Sequence, residues 1–356
     1  MLAKCRIYFI LLDKLFNNDW EGKMNNKVAV LGAGSWGNTL ALVLANKFNV
    51  VMWEFDASLA QLLSAERENK RFLPGITFPD TLTVTNNLEE AIKDAFMVVY
   101  AVPSFAIRST AKNTSNLITD NQILVTVTKG LEDKTFLRMS QILDEVIPKK
   151  KGIVALSGPT HAEEVSKKMP STIVAGCPNL EIAEIVQRAF MTDYLRVYTN
   201  EDIAGVELGG AIKNIIAVIA GISDGMGMGD NTKAALMTRG MAELIRLGKK
   251  AGAKEKTFSG LTGMGDLIVT CCSKHSRNRY VGEELGKGRK LNDIINSMQM
   301  VAEGVKNCES IYHFAKELQV EMPLTNELYK ILYQDGNIHD SLKNLFGRKE
   351  KYEHWE

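Results

Sequence analysis

Three glycines, Gly32, Gly34 and Gly37, form a G-x-G-x-x-G pattern directly after the apolar run 28–31 and at the start of a predicted helix. In such a turn the first glycine permits the tight bend, the second lets a pyrophosphate approach the backbone, and the third lets the helix pack close to the strand. The helix N-terminus offers free N–H groups to the phosphates. In this strand–turn–helix context the pattern predicts a dinucleotide-binding site.

An acidic residue follows at the distance expected for ribose recognition, because Glu54 lies seventeen residues after Gly37. Its carboxylate can accept a hydrogen bond from a ribose 2′-hydroxyl and repel a 2′-phosphate, which favours NAD over NADP. In the alternative interpretation, Glu54 points into solvent and Asp56 caps the next helix. Arg67 and Arg71 are near enough in sequence to leave NADP open.

Two lysines are candidates for acid–base chemistry. Lys213 shares one helix face with Gly209, Ala217 and Gly221, which are spaced by four residues. A lysine among small residues can be desolvated, and desolvation lowers its pKa, although a lysine that extends to solvent at a domain boundary fits the same spacing. Lys129 follows a predicted strand, at the sheet edge where ligands bind in such folds; a solvated loop lysine fits equally well.

Three other polar residues have two open interpretations each. Thr160, in the turn after a predicted strand, can cap the next helix or help to hold an oxyanion. His161 is a candidate acid–base residue or a packing residue. Asp266, in a predicted glycine-rich loop, can orient Lys213 or a substrate hydroxyl, or can be a turn residue.

The segment after Cys272 has the features of an anion site. Ser276 is predicted to cap a helix that runs to Gly286, with Arg277 and Asn278 in its first turn. A guanidinium beside free helix N–H groups can bind a phosphate or a carboxylate. Because the helix dipole disfavours arginine at this end, an anionic ligand is the preferred explanation over a merely solvated helix start.

These residues need elements that position them, and strands alternate with helices up to about residue 200. The predicted strands are 28–31, 50–53, 82–85, 96–101, 123–128, 153–157, 173–175 and 195–198. The predicted helices are 39–47, 59–68, 88–93, 107–117, 136–146 and 180–190, with a loop at 69–81. This alternation predicts an α/β fold in which a Rossmann-type parallel sheet is covered on both faces.

After about residue 201 long helical stretches dominate. The predicted helices are 203–221, 232–251, 277–285, 291–298, 308–317 and 324–333. The chain is therefore predicted to divide into an extension at 1–23, a dinucleotide-binding Rossmann domain at 24–205, an all-α substrate and catalytic domain at 206–347, and a tail at 348–356.

The net charge, the short apolar run and the cysteine pattern of this chain of 356 residues limit the kinds of partner that are expected. Its net charge of +1 gives no broad electrostatic basis for binding nucleic acid or an anionic membrane. The apolar run 7–12 is too short to span a bilayer, so no stable membrane insertion is expected. Met24 is the expected functional start, because a first Rossmann-type strand usually begins close to the start of a chain. A membrane-surface anchor at 1–23 is the alternative. Five cysteines without a CxxC pair favour reduced thiols in a cytoplasmic protein and no metal site.

Eleven short motifs occur in order between about Lys27 and Gly347, nearly the whole chain after the first two dozen residues. They are GAGSWGNTLA, FLPG, AVPS, VTKGLE, SGPTHAEE, GVELGGAIKNIIA, TRGMAEL, GLTGMGDLIVTC, SRNR, VAEG and EMPLT. Together they closely resemble the bacterial NAD(P)-dependent sn-glycerol-3-phosphate dehydrogenase family. The resemblance implies a Rossmann domain, a helical C-terminal domain and a homodimer.

The resemblance also implies roles for individual residues. Lys213 matches the general acid–base residue, and Lys129 matches a lysine that contacts both cofactor and substrate; with Asp266 these form the expected catalytic set. The other expected substrate contacts are Gly158, Thr160, Ser276, Arg277 and Asn278. The other expected cofactor contacts are Gly32, Gly34, Ser35, Trp36, Gly37, Phe55, Ala162, Arg277, Val301 and Glu303. Phe55 stands where many bacterial members carry a basic residue or histidine and resembles the NAD-using eukaryotic relatives, so NAD is slightly favoured over NADP.

The implied reaction interconverts dihydroxyacetone phosphate and sn-glycerol 3-phosphate by hydride transfer and supplies glycerol phosphate for phospholipid synthesis. Two alternatives stay open. GGAIKNI also resembles the lysine helix of β-hydroxyacid-type dehydrogenases, whose substrate carries a carboxylate. A non-catalytic, dinucleotide-sensing protein would keep the glycine turn, but it has no need of Lys129, Lys213 and Arg277 together.

Overall fold

The computed structural model describes residues 26–298, 302–350 and 352–353. The expected extension at 1–23 and the expected cofactor contact Val301 lie outside the described residues. Within them the chain has an α/β N-terminal part and a helical C-terminal part, as the sequence predicts.

An eight-stranded sheet forms the centre of the N-terminal part. The strands are β1 (Lys27–Leu31), β2 (Asn49–Trp53), β3 (Glu68–Asn69), β4 (Leu73–Thr77), β5 (Leu82–Thr85), β6 (Met97–Tyr100), β7 (Ile123–Thr126), β8 (Gly152–Ser157), β9 (Ser171–Gly176) and β10 (Leu195–Asn200). Across the sheet the order is β10-β9-β8-β7-β6-β1-β2-β5, and β3 pairs with β4 in a separate hairpin. The order reverses between β1 and β6, and the crevice at such a reversal is where open α/β sheets bind ligands.

Helices cover both faces of this sheet. They are α1 (Ser35–Leu44), α2 (Ala57–Glu66), α3 (Leu88–Ile92), α4 (Ile107–Thr114), α5 (Met139–Val146), α6 (Ala162–Val165) and α7 (Leu180–Phe190). Alternate residues of β1 enter different cores, with Val28 and Val30 in one cluster and Ala29 and Leu31 in another. Because successive strand side chains point to opposite faces, an apolar run without alternation is what a doubly covered strand requires.

The sheet is mostly parallel, but the predicted uniform direction is wrong at one edge. β9 runs antiparallel to β8, and β10 runs parallel to β9. A parallel crossover usually needs a full helix, whereas the connection from β8 to β9 contains only the four-residue α6. The chain therefore returns beside β8 in the opposite direction.

The predicted loop at 69–81 is also wrong in part, because it contains the antiparallel β3–β4 hairpin. This hairpin lies against the glycine turn. Asn69 is fully buried, and its Nδ2 donates to the carbonyl oxygen of Ala33 at 2.9 Å. Ser35 Oγ donates to the carbonyl oxygen of Phe72 at 2.8 Å. The hairpin thus fixes the backbone from both sides of Gly34.

The C-terminal part is helical throughout its described residues. Its helices are α8 (Ile203–Gly225), α9 (Gly229–Lys250), α10 (Glu255–Phe258), α11 (Asp266–Cys272), α12 (Arg277–Gly286), α13 (Leu291–Asn296), α14 (Glu303–Glu317), α15 (Pro323–Tyr333) and α16 (Ile338–Phe346). Helix α16 was not predicted. Asp266 does not lie in a loop, because it begins α11 directly after a π-helical turn at Leu261–Gly265.

Helix α8 is the core of this part. A Cβ at Gly221 would lie 2.0 Å from the carbonyl oxygen of Arg279, so α12 can cross α8 this closely only over glycine. Among the described residues, α8 is the one helix long and apolar enough to cross a membrane, but 89% of its most apolar window is buried. An apolar helix enclosed on all sides is also what a domain core contains.

A buried carboxylate fastens the start of α8 to the sheet domain. Glu207 accepts hydrogen bonds from Arg138 Nη1 at 2.5 Å and from the backbone N–H of Ser140 at 2.8 Å. These donors lie at the beginning of α5, so the carboxylate also compensates the free N–H groups of that helix end.

Candidate active site

Each of the three glycines in the turn has a different local geometry. Gly32 has a φ of +112°, and a Cβ there would lie 2.8 Å from the carbonyl oxygen of Ala101. A Cβ at Gly37 would lie 2.0 Å from the carbonyl oxygen of Gly32. Gly34, the N-cap of α1, is different because no heavy atom lies within 4 Å of its Cβ position. The turn is therefore closed by packing on two sides and open where a pyrophosphate would approach.

Ser35 and Trp36 form the first turn of α1 beside this opening. Ser35 is buried, whereas Trp36 is half-buried and packs against the core of the sheet domain. Neither residue places a charge at the helix start, so the free N–H groups and the dipole are left to act on an anion.

The acidic end of β2 serves two purposes. Glu54 Oε2 accepts a hydrogen bond from the N–H of Ala33 at 3.2 Å, which holds the carboxylate against the glycine turn. Asp56 Oδ1 caps α2 by accepting from the N–H of Ser58 at 2.9 Å. The interpretation in which Glu54 points away into solvent is wrong. Phe55 between them is 83% exposed, with its ring 6.3 Å from that of Trp53.

Arg67 lies far from this acidic end. It follows the last residue of the ten-residue helix α2, so about 15 Å of helix separates it from Asp56. Its guanidinium donates to the carbonyl oxygens of Phe78 and Pro79. Arg71 lies over the ring of Phe72, 4.9 Å from the ring centre, in the hairpin. Arg67 is therefore not placed to receive a 2′-phosphate beside Glu54.

A buried ion-pair cluster lies between the two parts of the chain, where one carboxylate accepts hydrogen bonds from two lysines. Lys213 Nζ donates to Asp266 Oδ1 at 2.6 Å, and Lys129 Nζ donates to Asp266 Oδ2 at 2.7 Å. Lys129 follows β7, which is two strands from β1 in the sheet, about 10 Å at normal strand spacing. The lysines and the glycine turn thus share one edge of the sheet. Gly210 leaves room for the Lys129 stem, since a Cβ there would lie 3.3 Å from Lys129 Cγ.

Burial and charge act in opposite directions on these groups. Burial lowers the pKa of Lys213 to about 8, against the attraction of Asp266. Burial alone would raise the pKa of the Asp266 carboxyl, but the charges of Lys129 and Lys213 bring it below its ordinary value. The site therefore contains an ionised carboxylate and an ammonium that can lose its proton near neutral pH.

Two further polar residues near the cluster were not predicted. Thr270 Oγ1 lies 2.5 Å from Lys213 Nζ and donates to the carbonyl oxygen of Asp266. It is four residues after Asp266, so their shared face on α11 was detectable from helical spacing. Asn214, next to Lys213, accepts from Nδ2 of Asn278 at 2.9 Å. That contact joins residues 64 apart, and local spacing gives no signal for it.

The residues of the predicted anion site lie at the start of α12. Ser276 Oγ accepts from the N–H of Arg279 at 3.2 Å, so Ser276 is the N-cap as predicted. Arg277 is the first helical residue and is exposed. Asn278 is buried, and its Oδ1 accepts from the N–H of Gly304 at 2.8 Å. It therefore fastens α14 to α12 rather than presenting its amide to solvent.

Glu303 begins α14 close to the cluster. Burial raises the pKa of its carboxyl, while the charges of Arg277, Lys129 and Lys213 oppose that rise. These interactions place Glu303 within electrostatic reach of the predicted phosphate-binding arginine and both lysines. The expected cofactor contact beside it, Val301, is outside the described residues.

The turn after β8 contains three of the expected contact residues, Gly158, Thr160 and Ala162. A Cβ at Gly158 would lie 2.9 Å from Ile173 Cα, so the turn passes close to β9. Thr160 is not a helix cap: Oγ1 donates to the carbonyl oxygen of Gly158 at 3.3 Å, and the N-cap of α6 is His161. Ala162 is buried, and its carbonyl oxygen accepts from Thr39 on α1 at 3.3 Å.

The glycine turn lies where the strand order reverses, and the buried lysine–aspartate cluster lies between the Rossmann domain and the helical domain. This combination is typical of nicotinamide-dependent dehydrogenases. Comparison with known proteins gives the family. The family model described as NAD-dependent glycerol-3-phosphate dehydrogenase N-terminus matches residues 27–183. The model of the C-terminus of the same family matches residues 202–343.

Individual relatives agree over almost their whole length. The chain is 51% identical over 329 residues to glycerol-3-phosphate dehydrogenase [NAD(P)+] of Chlorobium limicola, covering 92% of this chain and 99% of the relative. It is 48% identical over 330 residues to the Bacillus mycoides protein of the same name, covering 92% and 97%. The crystal structure of glycerol-3-phosphate dehydrogenase from Coxiella burnetii superimposes with a TM-score of 0.88 at 34% identity, covering 91% and 99%. The chain belongs to the NAD-dependent glycerol-3-phosphate dehydrogenase family.

Proposed function

We propose that the protein interconverts dihydroxyacetone phosphate and sn-glycerol 3-phosphate with a nicotinamide dinucleotide. The observation that carries the proposal is the Lys129–Asp266–Lys213 cluster beside the glycine turn. A carbonyl compound held there lies within reach of an acidic N–H group whose pKa is lowered to about 8. The family membership and the named relatives support the substrate.

In the proposed mechanism each residue of the cluster has one task. The glycine turn and the N-terminus of α1 would hold the dinucleotide, which when bound would supply a hydride to the carbonyl carbon. Lys213, protonated, donates a proton to the carbonyl oxygen as the hydroxyl forms. Asp266 holds the ammonium groups of Lys129 and Lys213 in fixed positions, and Lys129 contacts both ligands. In the reverse direction neutral Lys213 accepts the hydroxyl proton.

The phosphate end is assigned to the start of α12. Arg277 supplies a guanidinium, and the first N–H groups of the helix supply donors and a positive dipole end. We assign Gly158, Thr160, Ser276 and Asn278 to the same pocket, with Ser276 and Asn278 fixing the geometry of the helix start. A β-hydroxyacid substrate would present a carboxylate instead, so phosphorylated and carboxylated compounds discriminate between these reactions.

We further propose that NAD is preferred. The support is the position of Glu54 against the glycine turn, the neutral ring of Phe55, and the separation of Arg67 from both. In the Glu54→Gln variant, loss of the negative charge should raise kcat/KM for NADPH relative to NADH by roughly tenfold, about 1.4 kcal/mol. Initial rates with both cofactors measure the ratio, and an unchanged ratio contradicts the assignment.

The cellular setting is also a proposal. We infer a cytoplasmic homodimer that supplies glycerol phosphate for phospholipid synthesis, with a cofactor domain at 24–205 and a helical domain at 206–347. Helix α8 begins at Ile203, so it would belong to both domains at that boundary. Light scattering of the purified protein measures the subunit number.

Initial-rate kinetics test the reaction itself. Dihydroxyacetone phosphate with NADH should be turned over, while dihydroxyacetone and an unphosphorylated β-keto acid should be poor substrates. Tight NADH binding without turnover of any of the three would instead favour a dinucleotide-sensing protein.

A further inference from the structure

His161 has a side chain that the proposed mechanism does not use. It lies in the turn between β8 and α6, directly between Thr160 and Ala162. Its Nε2 is buried and has no hydrogen-bond partner among the described residues. A polar atom that is buried without a partner costs about 1–3 kcal/mol, and a hydrogen bond to a bound ligand would remove that cost.

The ring of His161 lies near the segment that carries the predicted phosphate site. Its centroid lies 5.9 Å from that of His275. His275 immediately precedes Ser276 and Arg277, the N-cap and first residue of α12. A residue of the sheet domain therefore contacts the turn that carries the anion-binding helix end. His275 itself is exposed and has no comparable buried nitrogen.

Charged residues of α6, α8 and α11 act on His161. Burial and the ammonium of Lys213 on α8 lower the pKa of His161. The carboxylates of Glu163, Glu164 and Asp266 raise it by smaller amounts. His161 is therefore neutral at neutral pH in the free protein, where another positive charge beside Lys213 is unfavourable.

We propose that His161 is a phosphate-binding residue of this site and takes up a proton from solvent when a phosphorylated substrate binds. This inference rests on the proposed function. A phosphate dianion between Arg277 and His161 reverses the sign of the local potential, so the imidazolium becomes the favoured form. Nε2–H then donates a charge-assisted hydrogen bond to a phosphate oxygen. Binding of a neutral triose would cause no such uptake.

Calorimetry on the complete protein separates this role from packing. Dihydroxyacetone phosphate is titrated into enzyme saturated with NAD⁺, where no turnover occurs, in buffers of different ionisation enthalpy at pH 7. The dependence of the heat on the buffer gives the number of protons taken up. Wild type should take up close to one proton more than His161→Gln, whose amide can donate but cannot titrate.

Two more variants sharpen the result. His161→Phe should weaken dihydroxyacetone phosphate binding by roughly tenfold or more, while His161→Gln should stay within a few-fold of wild type, because only Gln retains a donor. His275→Gln is the matched control and should take up as many protons as wild type. NADH affinity should be unchanged in all three variants.

Equal proton uptake by wild type and His161→Gln overturns the proposal, as does unweakened binding by His161→Phe. If either occurs while wild type turns over dihydroxyacetone phosphate, only the role of His161 fails. If wild type neither binds nor reduces that compound, the proposed function and this inference fail together.

Discussion

The glycine turn and the lysine–aspartate cluster are adjacent but are built on different principles. The turn presents backbone N–H groups, and its three glycines lie within six residues of one another. The cluster consists of charged side chains from both parts of the chain: Lys129 and Asp266 are 137 residues apart, and Lys213 and Asp266 are 53 apart. The turn is thus a local property of sequence, whereas the cluster exists only after the two parts of the chain have packed together.

The largest expected effect comes from removing the proton donor. Lys213→Ala should lower kcat by about 10²–10⁴-fold, the usual contribution of a general acid, and should leave the NADH dissociation constant unchanged because the glycine turn is intact. Stopped-flow kinetics and fluorescence titration measure the two quantities. Lys249→Ala, which removes an exposed lysine of α9, is the control. Turnover near the wild-type rate in Lys213→Ala would refute the assignment.

Removing the guanidinium at α12 should affect binding more than chemistry. Arg277→Ala should raise KM for dihydroxyacetone phosphate by roughly 10–100-fold, the value of one or two charge-assisted hydrogen bonds, with a smaller change in kcat. Arg196→Ala, on the exposed side of β10, is a suitable control. The phosphate assignment does not survive an unchanged KM.

Alanine substitutions at Gly37 and Gly34 should have different effects on stability and on NADH affinity. Gly37→Ala should lower the free energy of unfolding by about 1–3 kcal/mol, because its Cβ meets the Gly32 carbonyl. Gly34→Ala should leave stability nearly unchanged, because no heavy atom lies within 4 Å of its Cβ position, but should weaken NADH binding by about tenfold, because a bound pyrophosphate would meet the added methyl group. Thermal unfolding and NADH titration measure both. Equal stability losses would show that the space at Gly34 is not a ligand path.

The pH dependence tests the cluster without a mutation. Because the pKa of Lys213 is lowered to about 8, the ammonium is present below that pH and is lost above it. In the reductive direction kcat/KM should therefore fall as the pH rises above about 8, approaching tenfold per pH unit. In the oxidative direction it should fall as the pH drops below about 8. If kcat/KM changed with pH in the same sense for reduction and for oxidation, Lys213 would be excluded as the titrating group.

The same contrast explains what the sequence could predict. The glycine turn, the Ser276 cap and the helix 180–190 depend on neighbouring residues, and local pattern predicted each of them. The β3–β4 hairpin was missed because Asn69 is buried by a contact with Ala33, 36 residues away. The direction of β9 was missed because a short apolar strand has the same pattern in either orientation.

The sequence predicted part of the candidate site's arrangement: Asp266 was expected either to orient Lys213 or to be a turn residue, and the bridge from Asp266 to both lysines was not predicted. Spacing identified Lys213 as a lysine on a small-residue face and left Lys129 as either a site residue or a solvated one. Their shared hydrogen bonds to Asp266 depend on how α11 meets the sheet edge, and no local pattern encodes that packing. The roles assigned to the individual residues stay predictions until the variants are measured.

The anchoring of α8 by Glu207 has a mechanical consequence. Lys213 lies six residues further along the same helix, about 9 Å from a point that is hydrogen-bonded to the sheet domain. Because this stretch of helix is short, Lys213 should keep its position relative to the sheet domain when other helices of the C-terminal part move. The arginine-bearing start of α12 should keep its spacing to that ammonium during any opening that admits substrate, because Asn278 donates a hydrogen bond to Asn214 beside Lys213.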